Sequence, residues 1–187
     1  IPKSVVRIGN NAFKDCGNDG NLVLPASLKT IGDYAFKGWT KTKKIDIPNH
    51  VTKIGVHAFD SCYLATSVYL GSSVEEIGDY AFKGCVRVNE ITSMNTNAPI
   101  AFENTLTSIS ANAYLYVPAG SKHAYQIDPY WSRFNVYEIA AEESSLTKDA
   151  VTVVANEDNA IFTWPTKTEA ASYSLQITKD GVVFCTL

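Results

Sequence analysis

The chain lacks any run of about 18 apolar residues, so no part of it reads as a membrane-spanning helix. It lacks a block of charge of one sign. Its 16 Lys and Arg stand against 19 Asp and Glu, a net charge of −3, which argues against nucleic acid or an anionic membrane as the main partner. Histidine is scarce. His50, His57 and His123 stand alone, and no Ser-His-Asp arrangement can be placed around them. The four Cys include no paired Cys-x-x-Cys, which argues against zinc. Gly17-Asn18-Asp19-Gly20 reads as a turn or loop insertion and not as a phosphate loop. These gaps remove the usual catalytic and cofactor signatures. The expectation is a protein that is not an enzyme, with no cofactor and no metal.

What is present is a repeat. Ile-Gly-x-x-Ala-Phe begins at Ile8, Ile31, Ile54 and Ile77, a constant step of 23 residues. A constant period of this length means one structural unit stacked on copies of itself. With 45% hydrophobic and 19% charged residues, the chain can fill a core. Each unit also carries an extended run with apolar residues two apart: Leu22/Leu24, Ile45/Ile47, Val68/Leu70 and Ile91/Ser93. That alternation marks a half-buried strand. Its recurrence predicts parallel strands in register, one per turn of a solenoid. Pro25 and Pro48 end two of the strands, and Gly71 takes the place of Pro in the next unit.

The hexapeptide should form the inner back wall. Its Ala and Phe point inward, and its Gly either adopts a backbone closed to other residues or lets the next rung approach closely. A short helical turn is expected over residues 33–37 and 79–83, with Asp33 and Asp79 as caps. A cation site shared by these two carboxylates is the competing reading, weakened by Val56 between them. Cys16, Cys62 and Cys85 follow the hexapeptide Phe by three residues, and Trp39 fills that slot in the second unit. The slot reads as buried and apolar. Cys62 and Cys85 are read as a thiol ladder, with a disulfide as the alternative.

The repeat drifts after Glu90. One period beyond Phe82 stands Thr105, not a core residue by type, so residues 93–107 read as an irregular rung. Leu115 and Val117 then mark a strand ending in Pro118, a short helix is expected over residues 122–127 with Ser121 as N-cap, and residues 136–139 form a further strand. Tyr130, Trp131 and Phe134 are read as a cap over the last rung. Residues 140–147 read as a linker. Strands are expected over 150–154, 160–164, 172–178 and 182–187, with a hairpin at Asp180-Gly181. The domain expectation is therefore a solenoid with its cap over 1–139, a linker over 140–147, and part of a β-sandwich over 148–187. A complete sandwich needs about 90–100 residues.

The unit Ile47-Pro48-Asn49-His50-Val51-Thr52-Lys53-Ile54-Gly55-Val56-His57-Ala58-Phe59-Asp60-Ser61-Cys62 resembles the repeat of the BspA-like leucine-rich repeat family of bacterial surface proteins. The stretch from Leu115 to Ser121, with Tyr125, Trp131 and Phe134, is similar to the closing segment of such arrays. Ile161-Phe162-Thr163-Trp164-Pro165 and Ala171-Ser172-Tyr173 resemble the start of a fibronectin type III-like domain. The resemblance implies a leucine-rich-repeat-like fold, mainly β, an extracellular or cell-surface location and an adhesion role, with no catalytic residues to carry over. No signal peptide is recognisable, and Ile1 to Val5 already lie inside a repeat, so the chain reads as an excerpt of a longer one.

Alternation puts a second set of side chains on the outer face of the strands. Val23, Asp46, Tyr69 and Thr92 face out, as do Asn21, Lys44, Ser67 and Glu90. This mixed column, with one tyrosine, is the candidate ligand-binding face, and its partner would be a host or extracellular protein, a matrix component or a glycan. Lys37, Lys41, Lys43 and Lys44 around Trp39 read as a solvated edge or as an anion-binding patch. The competing reading for the whole array is a structural spacer that presents other domains. The strand edges of the C-terminal part also offer a route to self-association.

Overall fold

The computed structural model describes residues 1–16 and 22–139, and the backbone of four strands beyond them. The chain divides into two compact units, Ile1–Ala141 and Glu142–Leu187. Gly17 to Asn21, the stretch 140–147, Trp164, Pro165, Tyr173 and the Asp180-Gly181 turn lie outside the described residues.

The first unit is a stack of rungs built on two parallel ladders. In chain order its strands are β1 (Arg7–Ile8), β2 (Thr30–Ile31), β3 (Lys44–Ile47), β4 (Lys53–Ile54), β5 (Ser67–Leu70), β6 (Glu76–Ile77), β7 (Glu90–Ser93), β8 (Tyr114–Pro118) and β9 (Asn135–Ile139). The long strands pair in the order β3-β5-β7-β8-β9, all parallel. A second ladder, β1-β2-β4-β6, runs through the Ile that opens each hexapeptide. The expected strand at Leu22 and Leu24 does not form. Leu22 is buried, but residues 22–25 join neither ladder.

Between the ladders lies the core. Phe13, Phe36, Phe59 and Phe82 stack with centroids 5.4, 5.4 and 5.8 Å apart and planes within 9° of parallel. Ala35, Ala58 and Ala81 are buried beside them, as are Ile31, Ile54 and Ile77. Small residues alternate with large ones, so each rung can sit down on the next. Close approach, not special torsion, explains the hexapeptide Gly at Gly32, Gly55 and Gly78. A Cβ on Gly55 would stand 2.5 Å from the backbone of Gly32 and Asp33.

Left-handed backbone occurs instead at the fourth hexapeptide residue: Asn11, Tyr34, His57 and Tyr80, with φ of 59°, 57°, 54° and 56°. This corrects the expected helical turns, because residues 33–37 and 79–83 form turns and no helix. Donors that a helix would use internally are turned to the next rung. Tyr34 N–H donates to Val56 O at 2.9 Å, and Phe36 N–H to Ala58 O at 2.8 Å. The Asp side chains are redirected in the same way. Asp33 Oδ1 accepts from Val56 N–H at 2.8 Å, and Asp79 Oδ1 from Asn104 N–H at 2.9 Å. They cap the following rung and not their own turn.

The irregular rung is better ordered than its composition implies. Thr105 is fully buried, against expectation, and occupies the Ala slot with Leu106 in the Phe slot. Its hydroxyl lies 3.2 Å from Gly78 O and accepts from Phe102 N–H at 2.9 Å, which removes the cost of burying it. The register moves by one residue here, since Glu76 bridges Ile100 and Glu90 pairs with Tyr114. A shallow groove of about 430 Å³ opens between residues 72–75 and 95–99.

The far end is closed by the helix α1 (Lys122–Gln126) and the turn after it. Ser121 is the N-cap residue but makes no side-chain cap hydrogen bond. Tyr125 and Trp131 are fully buried, edge to face with centroids 5.6 Å apart. Trp131 Nε1–H donates to Pro99 O at 2.8 Å, and the Tyr125 hydroxyl lies 2.7 Å from Ser93 Oγ. Burial pushes the Tyr125 hydroxyl up to about 12, against the opposing hydrogen bond from Ser93.

The second unit, taken by itself, shows two antiparallel pairs: β10 (Thr152–Ala155) with β11 (Ala160–Thr163), and β12 (Gln176–Lys179) with β13 (Val182–Thr186).

Candidate functional site

The long-strand ladder aligns its outward side chains in two rows. One runs Lys44, Ser67, Glu90, Tyr114, Asn135, and the other Asp46, Tyr69, Thr92, Tyr116, Tyr137. Six of the eight side chains expected on this face therefore lie on it together, and Asn21 falls outside the described residues. Lys44, Asp46 and Glu90 are exposed, and Ser67, Tyr69 and Thr92 are half-buried. Val23 is 74% exposed but lies outside the ladder, because residues 22–25 form no strand.

Sequence reasoning stopped the face at Glu90 and Thr92. Its most distinctive part lies beyond them. Tyr114, Tyr116 and Tyr137 meet with centroids 5.8 to 6.4 Å apart. Tyr114 is 50% exposed and Tyr137 48%. The signal was present: Leu115 and Val117 point inward, so their neighbours must point out. Counting by the period of 23 passes over these tyrosines, because the step from Glu90 to Tyr114 is 24.

A second aromatic row runs along the turn edge. His57 is sandwiched between Tyr34 and Tyr80 with centroids at 4.8 and 4.9 Å. His57 Nδ1 lies 2.9 Å from Asp60 Oδ2, which also takes Lys37 Nζ at 2.9 Å. Ser61 Oγ–H donates to Asp60 Oδ1 at 2.9 Å. Burial disfavours the Asp60 charge, but the hydrogen bonds from Lys37, Ser61 and His57 outweigh it and hold the carboxyl below its usual value. This row satisfies itself. Lys37 is drawn off to Asp60 and Lys44 to the strand face, so the expected lysine group around Trp39 is split. Trp39 itself is half-buried and donates from Nε1–H to Phe13 O at 2.7 Å.

The cysteine slot is buried at Cys62 and Cys85, both free thiols, and exposed at Cys16, where the slot expectation fails. The Cys85 thiol is pushed up by hydrogen bonding with Cys62 and by burial. No group of three or more His, Cys, Asp or Glu is arranged to hold a metal among the described residues.

The two ladders and the hexapeptide core match a known repeat. A profile of the BspA type leucine rich repeat region fits residues 1–116 in six copies. The chain belongs to the BspA-type leucine-rich repeat family. Among solved structures this BspA-type chain is similar to the pneumococcal vaccine antigen PcpA, with 21% identity and a TM-score of 0.55 over 73% of this chain. That likeness speaks to the fold alone, and the match spans 33% of the antigen. A leucine-rich repeat protein from Bacteroides ovatus is 17% identical over 63% of this chain and 54% of its own length. Its TM-score of 0.25 carries no weight for the fold. No curated protein matches. Among the described residues no helix is long and apolar enough to cross a membrane.

Proposed function

We propose that the solenoid is a non-enzymatic binding module of a bacterial cell surface, and that its working surface is the outward strand face. The observation that carries this reading is the tyrosine group Tyr114, Tyr116 and Tyr137. Large rings half exposed on a rigid sheet resemble the centre of a recognition surface, where tyrosine is enriched. The strands beneath are paired in register, so the backbone that carries the rings is set before any partner arrives. Lys44, Asp46, Ser67, Tyr69, Glu90 and Thr92 extend the surface with polar side chains. The family supports an extracellular or surface-anchored setting and a protein, matrix component or glycan as partner. The two antiparallel pairs of the second unit support its reading as part of a fibronectin type III-like sandwich over 148–187, after a linker at 140–147.

The test is a screen of the full chain against extracellular-matrix proteins and glycans, beside a Tyr114→Ala, Tyr137→Ala double variant. Partners that bind the wild type and not the variant support the proposal. If nothing binds, or if every partner binds both proteins equally, the strand face is not the working surface and the spacer reading takes its place.

A further inference from the structure

The strand face pairs acid with tyrosine in register. Asp46 of β3 lies beside Tyr69 of β5, and Glu90 of β7 beside Tyr114 of β8. Side chains matched on neighbouring strands stand about 5 Å apart at Cβ. Both acids are exposed, and neither joins an ion pair among the described residues, whose pairs are Lys37–Asp60, Lys53–Glu76 and His57–Asp60. From β5 to β9 the two outward rows carry no Lys or Arg.

This surface is complementary to a guanidinium. A carboxylate can take two N–H donors from Arg, and a tyrosine ring attracts the flat cation over its face. A lysine ammonium fits less well, because it neither stacks nor donates in a fork. A sugar ring wants a broad flat platform, whereas Tyr137 is tilted 50° from Tyr114 and 38° from Tyr116. Resting on the proposed function, we infer that the tyrosine end of the strand face binds an arginine-bearing segment of a partner polypeptide. One guanidinium pairs with Glu90 and stacks on Tyr114, and the Tyr116–Tyr137 side receives the apolar stem or a neighbouring residue.

The probe is a labelled peptide of alternating Arg and Ser, titrated by fluorescence anisotropy into the full chain at physiological salt. The matching Lys-Ser peptide and the neutral oligosaccharide cellohexaose are the comparisons. The Arg peptide is expected to bind more tightly than the Lys peptide. Tyr114→Leu with Tyr137→Leu should weaken it about tenfold, and Glu90→Gln about threefold or more. Glu103→Gln removes an exposed carboxylate away from the face and should change nothing. Circular dichroism confirms that each variant is folded. Equal losses from Glu90→Gln and Glu103→Gln would reveal general charge attraction and overturn the inference, as would no binding of the Arg peptide. Tyrosine-dependent binding of cellohexaose without the Arg peptide would overturn the inference and leave the binding module standing. No tyrosine-dependent partner of any kind, here or in the screen, would sink both.

Discussion

Replacing Phe59 by Ala tests how the stack is held together. Phe59 is fully buried, and its ring lies between Phe36 at 5.4 Å and Phe82 at 5.8 Å. Truncation removes contacts from both neighbours. The rungs above and below cannot close the gap freely, since Phe36 N–H is tied to Ala58 O and Phe59 N–H to Ala81 O, each at 2.8 Å. A buried Phe→Ala change costs about 3–5 kcal/mol, and the uncollapsed cavity puts this one near the top of that range. Phe13 is the internal control. It is half-buried and stacks on a single Phe, with Trp39 edge-on at 6.3 Å. Phe13→Ala should cost only about 1–2 kcal/mol, in line with the smaller area removed from contact. Urea unfolding followed by circular dichroism measures both. A loss below about 1 kcal/mol for Phe59→Ala, or equal losses at the two positions, would refute a continuous interior phenylalanine column. A fall in m with little change in midpoint would instead mean that the rungs unfold in separate blocks.

Other expectations follow from single contacts. The Asp60 carboxyl is held below its ordinary value of 3.8 when folded, so its stabilising effect is complete above that value and disappears as pH falls through the lower folded one. Asp60→Asn should therefore lower stability at neutral pH and flatten the acid side of the stability curve; an unchanged acid side would contradict the Lys37 and His57 contacts. Gly55→Ala places a Cβ 2.5 Å from the neighbouring rung and should cost about 1–3 kcal/mol or more, while Gly9→Ala meets nothing within 4 Å and should shift the thermal midpoint little. Cys16 should react with a thiol reagent in the native protein while Cys62 and Cys85 stay unmodified until unfolding, read by peptide mass spectrometry.

Much of the fold was legible because one spacing repeats. The hexapeptide at period 23 is enough to assign Ile54, Ala58 and Phe59 to the interior. Alternation correctly gave the sides of Ile45 and Ile47. It does not report whether a segment finds a hydrogen-bonding neighbour, and so Leu22 and Leu24 read as a strand that the ladder omits. The short ladder through Arg7, Thr30, Lys53 and Glu76 is only two residues wide, below the length at which alternation can be seen. A strict count of 23 from Phe82 puts Thr105 in the Phe slot, where its type does not fit, but the step across this rung is 24. One extra residue before Ile100 moves it into the Ala slot, where nearby backbone groups satisfy its hydroxyl. The same shift hid the candidate site. Carried through the insertion, the outward rows run on from Glu90 to Tyr114 and from Thr92 to Tyr116, but counting strictly by the repeat ends the face before its tyrosines.

The most direct test of a tyrosine-bearing strand face is mapping tyrosine reactivity in the complex. The full chain would be treated with a tyrosine-selective acylating reagent alone and with a bound partner from the screen, and modified peptides quantified by mass spectrometry. Protection of Tyr114, Tyr116 and Tyr137, with Tyr34 and Tyr80 on the turn edge unchanged, is the expected result. Protection of Tyr34 and Tyr80, with Tyr114 and Tyr137 left as reactive as in the free chain, would contradict it and move the working surface to the other edge of the stack.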